Sequence, residues 1–84
     1  MTEGEVLALL RDVFQTEFEI DAEAVVPAAR LREDLDLDSI DAVALAARLE
    51  RETGAVLKEE RLRQVRSVQD VIVLVRGLLA STSA

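Results

Sequence analysis

No cysteine and no histidine occur in this chain of 84 residues. Without cysteine there is no disulfide and no thiolate metal site. Without histidine as well, the composition argues against zinc and haem. The missing cysteine fits a reducing compartment. Basic residues are scarce, 10 against 17 acidic ones, for a formal charge of −7. That balance argues against nucleic acid as a partner, because phosphate backbones select for lysine and arginine. It suits either simple solubility or attraction to basic patches on other proteins. No apolar run approaches the roughly 18 residues of a membrane-spanning helix, so no stable membrane insertion is expected. The acidic N-terminus, Met1-Thr2-Glu3-Gly4-Glu5, shows no signal-peptide pattern. The expectation is a cytoplasmic monomer. Residues 1–84 make one small domain with a modest core. Its stability should be roughly 3–5 kcal/mol.

What the chain does contain is helical periodicity. Thr2 and Glu5 have the spacing of a capping box. Val6, Leu7, Leu10, Val13 and Phe14 then recur at helical spacing, with Leu9 and Phe18 nearby. This predicts helix I over residues 3–18. Residues 19–37 lack a clear period, and Pro27 disfavours helix at Val26. A loop of that length in a compact domain tends to be functional. Leu31, Leu35 and Leu37 should pin it to the core. Asp38 is a good N-cap, with Asp41 three residues on. Ala42 to Glu52 is dense in helix formers, and Gly54 is a natural stop. Helix II is therefore expected over 39–53, followed by a short helix III over 59–64. Ser67, with Asp70 behind it, caps a helix IV over 68–80 whose stripe is Val68, Val71, Ile72, Val75 and Leu79. Ser81 to Ala84 should fray. The predicted class is all-α: three substantial helices and one short one around a single core.

Helix II has two apolar faces. At roughly 100° per residue, Ala42, Leu45, Ala46 and Leu49 cluster on one side. Ile40, Val43, Ala44 and Ala47 cluster on nearly the opposite side. A surface helix needs only one apolar stripe. Whole burial is hard to arrange in so short a chain. The second stripe, flanked by Asp38, Asp41 and Glu50, therefore reads as a partner-docking surface. The plainer alternative is an alanine-rich helix with incidental exposed Val and Ile.

At the head of that helix stands one serine set in acid: Asp34-Leu35-Asp36-Leu37-Asp38-Ser39-Ile40-Asp41. Nothing in the sequence would activate Ser39 as a nucleophile. There is no histidine, and the single lysine, Lys58, is far along the chain. A hydrolase is disfavoured, since no base or metal-ligand cluster accompanies the serine. A serine that another enzyme modifies fits better. The first turn of a helix offers free N–H groups and the positive end of the dipole to a phosphate. The flanking carboxylates repel free anions, so this would be a covalent site. An ordinary helix-start serine is the alternative.

The triplet Asp38-Ser39-Ile40 resembles the attachment site of acyl carrier proteins, and the resemblance runs from about Val6 to Leu79. Leu31-Arg32-Glu33-Asp34-Leu35 is similar to the end of that family's long loop. Val65-Arg66-Ser67-Val68-Gln69-Asp70 is similar to its entry into the last helix. The resemblance implies a four-helix bundle with a long loop between helices I and II and a short helix III. It implies that a phosphopantetheinyl transferase moves 4'-phosphopantetheine from coenzyme A to Ser39. Acyl intermediates of fatty-acid-like or polyketide-like synthesis would then ride on the arm as thioesters. The partners implied are acyl synthases, reductases, dehydratases and acyltransferases, and the chain itself would be no enzyme. Two departures stand out. Fatty-acid carriers commonly have glycine where Asp36 stands, and their helix II carries more acid, here diluted by Ala44, Arg48 and Arg51. The run around Ser39 is more similar to stand-alone carriers of specialised pathways, such as aryl polyene synthesis. An acyl pocket is expected among Leu45, Leu49, Leu57, Leu62, Val65, Val71, Ile72 and Val75, opening on loading near helix III. The competing readings are a peptidyl or aryl carrier of a peptide-synthetase system, and an unmodified helical adaptor using the Ile40/Val43/Ala47 stripe.

Overall fold

The structure is a computed structural model that describes residues 2–82. Four α-helices follow one another: α1 (Glu3–Phe18), α2 (Ser39–Thr53), α3 (Glu59–Gln64) and α4 (Val68–Thr82). No strand occurs among the described residues. The all-helical architecture agrees with the class expected from periodicity. Helix α4 continues through Thr82, past the expected end near residue 80. The rest of the segment expected to fray, Ser83 and Ala84, lies outside the described residues.

Side-chain caps start the long helices. Thr2 accepts from the Glu5 N–H, and Glu5 accepts from the Thr2 N–H. The same reciprocal box joins Asp38 to Asp41 at the head of α2. At α4, Ser67 Oγ accepts from the Asp70 N–H, and Asp70 Oδ2 accepts from the N–H groups of Arg66 and Ser67. These bonds, the Arg66 N–H first, hold the Asp70 carboxyl below its ordinary value. The stability that carboxylate contributes is complete above the usual aspartate range. It is lost as pH falls through the lowered folded value. Urea unfolding should therefore show Asp70→Asn less stable than wild type near neutral pH, with the gap shrinking as pH drops to about 3. A gap that stays constant with pH would contradict this.

Helix α1 lies beside α4 and also meets α2, while α3 packs on α2. The core is apolar throughout: Val6, Leu10, Val13 and Phe14 of α1 meet Leu45 and Leu49 of α2 and Val68, Val71, Ile72 and Val75 of α4. Phe14 and Phe18 stack edge to face, with centroids 5.9 Å apart. Leu62 anchors α3 with its side chain buried, and the N-cap residue Lys58 makes no side-chain cap bond.

The long connection between α1 and α2 is ordered by backbone bonding. It opens on Glu19 in a left-handed conformation and holds a single 3-10 turn over Ala22–Ala24, which the sequence pattern did not anticipate. Arg11 Nε donates to the Val25 carbonyl at 3.0 Å. The carbonyls of Pro27 and Ala29 accept from the Gln69 and Val68 N–H groups at 3.0 and 2.9 Å. Two donors that the start of α4 would leave unsatisfied are thus taken up by the loop. Next to them, Arg30 and Ser67 form an isolated antiparallel bridge, and Leu31 N–H donates to the Arg66 carbonyl at 2.9 Å. Leu35 and Leu37 are buried, and Leu31 packs at the edge of the core.

Just before α2 the chain turns through Asp36, whose φ is 55°. The resemblance places glycine here in fatty-acid carriers, and a left-handed backbone is one that glycine adopts freely. Aspartate is among the few residues that enter this region readily. A β-branched side chain there should cost about 1–2 kcal/mol. Asp36→Val should lose about that much stability in denaturant unfolding, whereas Asp36→Gly should match or exceed wild type. Equal stability of all three forms would argue against the left-handed turn.

Candidate functional site

Ser39 is the first residue of α2. Its neighbour Asp38 is the N-cap, with φ −102° and ψ −173°. Asp38 Oδ1 accepts from the Asp41 N–H at 2.9 Å, and Asp41 Oδ2 accepts from the Asp38 N–H at 3.2 Å. The two aspartates do the capping, which leaves the serine with no capping duty. Ser39 is exposed, and no hydrogen bond among the described residues engages its hydroxyl. The other serine at the start of a long helix, Ser67, is the reverse case: half-buried, with its oxygen spent on the Asp70 N–H.

Helix α2 presents its two apolar faces to different surroundings. Leu45 and Leu49 are buried in the core, and Ala42 and Ala46 are half-buried. Opposite them, Ile40 is 79% exposed and Val43 51%. Ala44, Ala47 and Glu50 are exposed too, and Asp41 is half-buried. Arg48 does not share this outer face. It reaches across to α1, pairing with Glu17, and forms a second pair with Glu52 at 3.0 Å. Those two carboxylates raise its guanidinium pKa, Glu17 most. Of the two arginines expected to dilute the acid around the stripe, Arg48 is therefore tied to the α1 side.

Beside Ser39 opens a cleft of about 690 Å³, bounded by the end of the long loop, the start of α2 and the end of α3. Leu37, Leu45, Leu62 and Val65 contribute apolar lining. Three of the residues expected to form an acyl pocket, Leu45, Leu62 and Val65, thus border the same cleft as Ser39. The other five, Leu49, Leu57, Val71, Ile72 and Val75, are buried in the core and do not border it. Arg30, Arg32, Arg63 and Arg66 also line the cleft, together with Glu33 and Asp38. Sequence pattern did not single these arginines out, because three of them lie in irregular segments that only long-range backbone contacts draw together.

Residues 8–75 match the family described as the phosphopantetheine attachment site, and the matched span includes Ser39. The chain is 52% identical over 81 residues to acyl carrier protein 2 of Ralstonia nicotianae, covering 96% of this chain and all of that one. It is 33% identical, over the same shares, to the acyl carrier protein of Thermosynechococcus vestitus. The chain belongs to the acyl carrier protein family. The fold agrees: the crystal structure of an acyl carrier protein from Thermotoga maritima superposes with a TM-score of 0.85 at 25% identity, covering 95% of this carrier and 93% of that chain. The carrier's cofactor is 4'-phosphopantetheine, whose terminal thiol, when the arm is attached, holds acyl groups as thioesters. The residues present suit such an arm. A free, exposed hydroxyl stands at the lip of a cleft that is apolar within and basic at its edge. Carriers of this kind work with transferases and synthase enzymes. No helix among the described residues of this carrier is long and apolar enough to cross a membrane. No group of residues suited to hold a metal ion occurs among them.

Proposed function

We propose that Ser39 is the residue that bears the arm. The observation that supports this most directly is its exposed hydroxyl, left without a hydrogen bond because Asp38 and Asp41 close the capping box. In the loading step a phosphopantetheinyl transferase joins Ser39 Oγ to the phosphorus of coenzyme A that bears the pantetheine. The pyrophosphate linkage breaks, and adenosine 3',5'-bisphosphate departs. The hydroxyl proton passes to a base on the transferase, since this chain offers none beside Ser39. The chain is a carrier and contributes no catalysis of its own.

Asp38, Ile40, Asp41, Val43, Ala44, Ala47 and Glu50 form the face that meets the transferase and the synthases, reductases, dehydratases or acyltransferases of the pathway. Exposed Ile40 and Val43 supply its apolar contacts, and the carboxylates supply a rim complementary to basic partners. The acyl chain enters between α2 and α3, past Leu45, Leu62 and Val65, and reaches the deeper residues Leu49, Leu57, Val71, Ile72 and Val75 only if α3 yields. Helix α3 is suited to yield, being six residues long and without a side-chain N-cap. The run from Asp34 to Val43, with Asp36 in place of glycine, supports a specialised pathway over housekeeping fatty-acid synthesis, and the cytoplasm is the compartment that fits.

The experiment is incubation with coenzyme A and a broad-specificity transferase, read by intact mass and peptide fragmentation. One phosphopantetheine should add, on the peptide containing Ser39. Addition at Ser67 or Ser81 would refute the assignment, and no addition would favour an unmodified adaptor.

A further inference from the structure

Four of the chain's 10 basic residues, Arg30, Arg32, Arg63 and Arg66, line the cleft beside Ser39. In a chain of net charge −7 that concentration stands out. The backbone enforces it: the bridge between Arg30 and Ser67, and the bond from Leu31 N–H to the Arg66 carbonyl, fasten the long loop to the α3–α4 connection. Arg30, Arg32 and Arg66 form no ion pair among the described residues. The acids nearby are Glu33 and Asp38 in the lining, Asp34, whose Oδ2 accepts from the Arg30 N–H at 2.7 Å, and Asp70, whose carboxyl feels Arg66 but is held by backbone N–H groups. Between the arginines the lining is aliphatic, with Leu45, Leu62 and Val65. A cavity of this size matches a small ligand, and its lining matches one with an apolar body and an anionic end.

We propose that this cleft selects, among the acyl groups the arm can carry, those whose far end bears a carboxylate. This rests on the reading of Ser39 as the point of attachment. The aliphatic lining covers the methylene chain, and the guanidiniums take the carboxylate through paired N–H donors. Exposed arginines bind a free carboxylate weakly. A cargo tethered at the lip meets them at an effective concentration in the millimolar range, where weak contacts suffice. The phosphodiester of the arm is the other anionic group within reach, and the test separates the two.

Three loaded forms of the protein should be prepared, each verified by intact mass: the bare arm, the arm with an amide-linked hexanoyl chain, and the arm with an amide-linked adipoyl chain of the same length. Melting temperature and backbone amide spectra are then compared. The adipoyl form should melt about 4 °C or more above the hexanoyl form. Its amide shifts should concentrate at residues 30–33 and 62–66. The difference should vanish in the double variant Arg32→Gln, Arg66→Gln, and should shrink in about 0.5 M salt. Equal melting of the two acyl forms, or arginine-segment shifts already complete in the bare-arm form, would overturn the cargo preference alone. A protein that gains no mass would overturn the attachment reading, and the cargo preference with it.

Discussion

Ser39→Ala should abolish attachment of the arm and leave the fold intact. The substitution removes an oxygen that is exposed and bonded to nothing among the described residues. It spares the Asp38–Asp41 box that starts the helix. Surface changes of this kind stay within about 0.5 kcal/mol of wild type, and alanine is the better helix former. Ser67→Ala should behave in the opposite way. It removes a capping oxygen from α4 and should cost about 0.5–2 kcal/mol, while the gain in mass on incubation with coenzyme A and a transferase persists. Two serines at helix starts would thus be separated, one by chemistry and one by stability. Retention of the added mass by Ser39→Ala would end the assignment.

The two faces of α2 should respond as differently as a core and an interface. Leu49 is fully buried, and Leu49→Ala should cost about 2–5 kcal/mol. A domain of this size has roughly 3–5 kcal/mol to lose, so helical circular dichroism should melt well below wild type or be lost outright. Val43→Asp changes a half-exposed residue and should leave helix content and melting nearly unchanged. Its effect should appear in acyl transfer with a cognate synthase. Burying Val43 against a partner contributes roughly 1.5–3 kcal/mol if fully desolvated. Its loss should slow transfer by about tenfold or more at sub-saturating carrier. Asp41→Asn should do less, because exposed charge pairs contribute only about 0–1 kcal/mol. Unfolding of Val43→Asp would place that face in the core. Transfer unaffected by Val43→Asp yet abolished by salt would make charge the determinant.

The all-helical class and the order long, long, short, long of its four helices were legible in residue spacing, because a helix that buries one side must repeat its apolar residues at the helical period. Caps were legible for a related reason. A Thr2–Glu5 or Asp38–Asp41 pair meets within one turn and depends on nothing remote. The same locality made the second stripe of α2 visible: Ile40, Val43, Ala44 and Ala47 share a face on any helix. The sequence reading also took the Ile40/Val43 stripe as the outward one; what it could not decide was how the other stripe would be covered, since that depends on where α1 and α4 lie. Tertiary packing decided it, placing Leu45 and Leu49 inside and leaving Ile40 and Val43 in solvent. Tertiary structure likewise turned Arg48 toward Glu17 of α1, away from the outer face it was expected to dilute.

The long loop marks the boundary most clearly. Residues 19–37 carry no period, so nothing local announces that Pro27 and Ala29 will satisfy the first N–H groups of α4, or that Arg30 will pair with Ser67. Those contacts join segments more than thirty residues apart in sequence. They form because buried backbone donors require acceptors and the loop is the strand of chain that reaches them. The chain alone determined four helices, their caps and a serine with no base beside it. Only the folded backbone determined that this serine opens onto a cleft with an aliphatic lining and an arginine edge, because no repeat in the sequence encodes the meeting of two irregular segments.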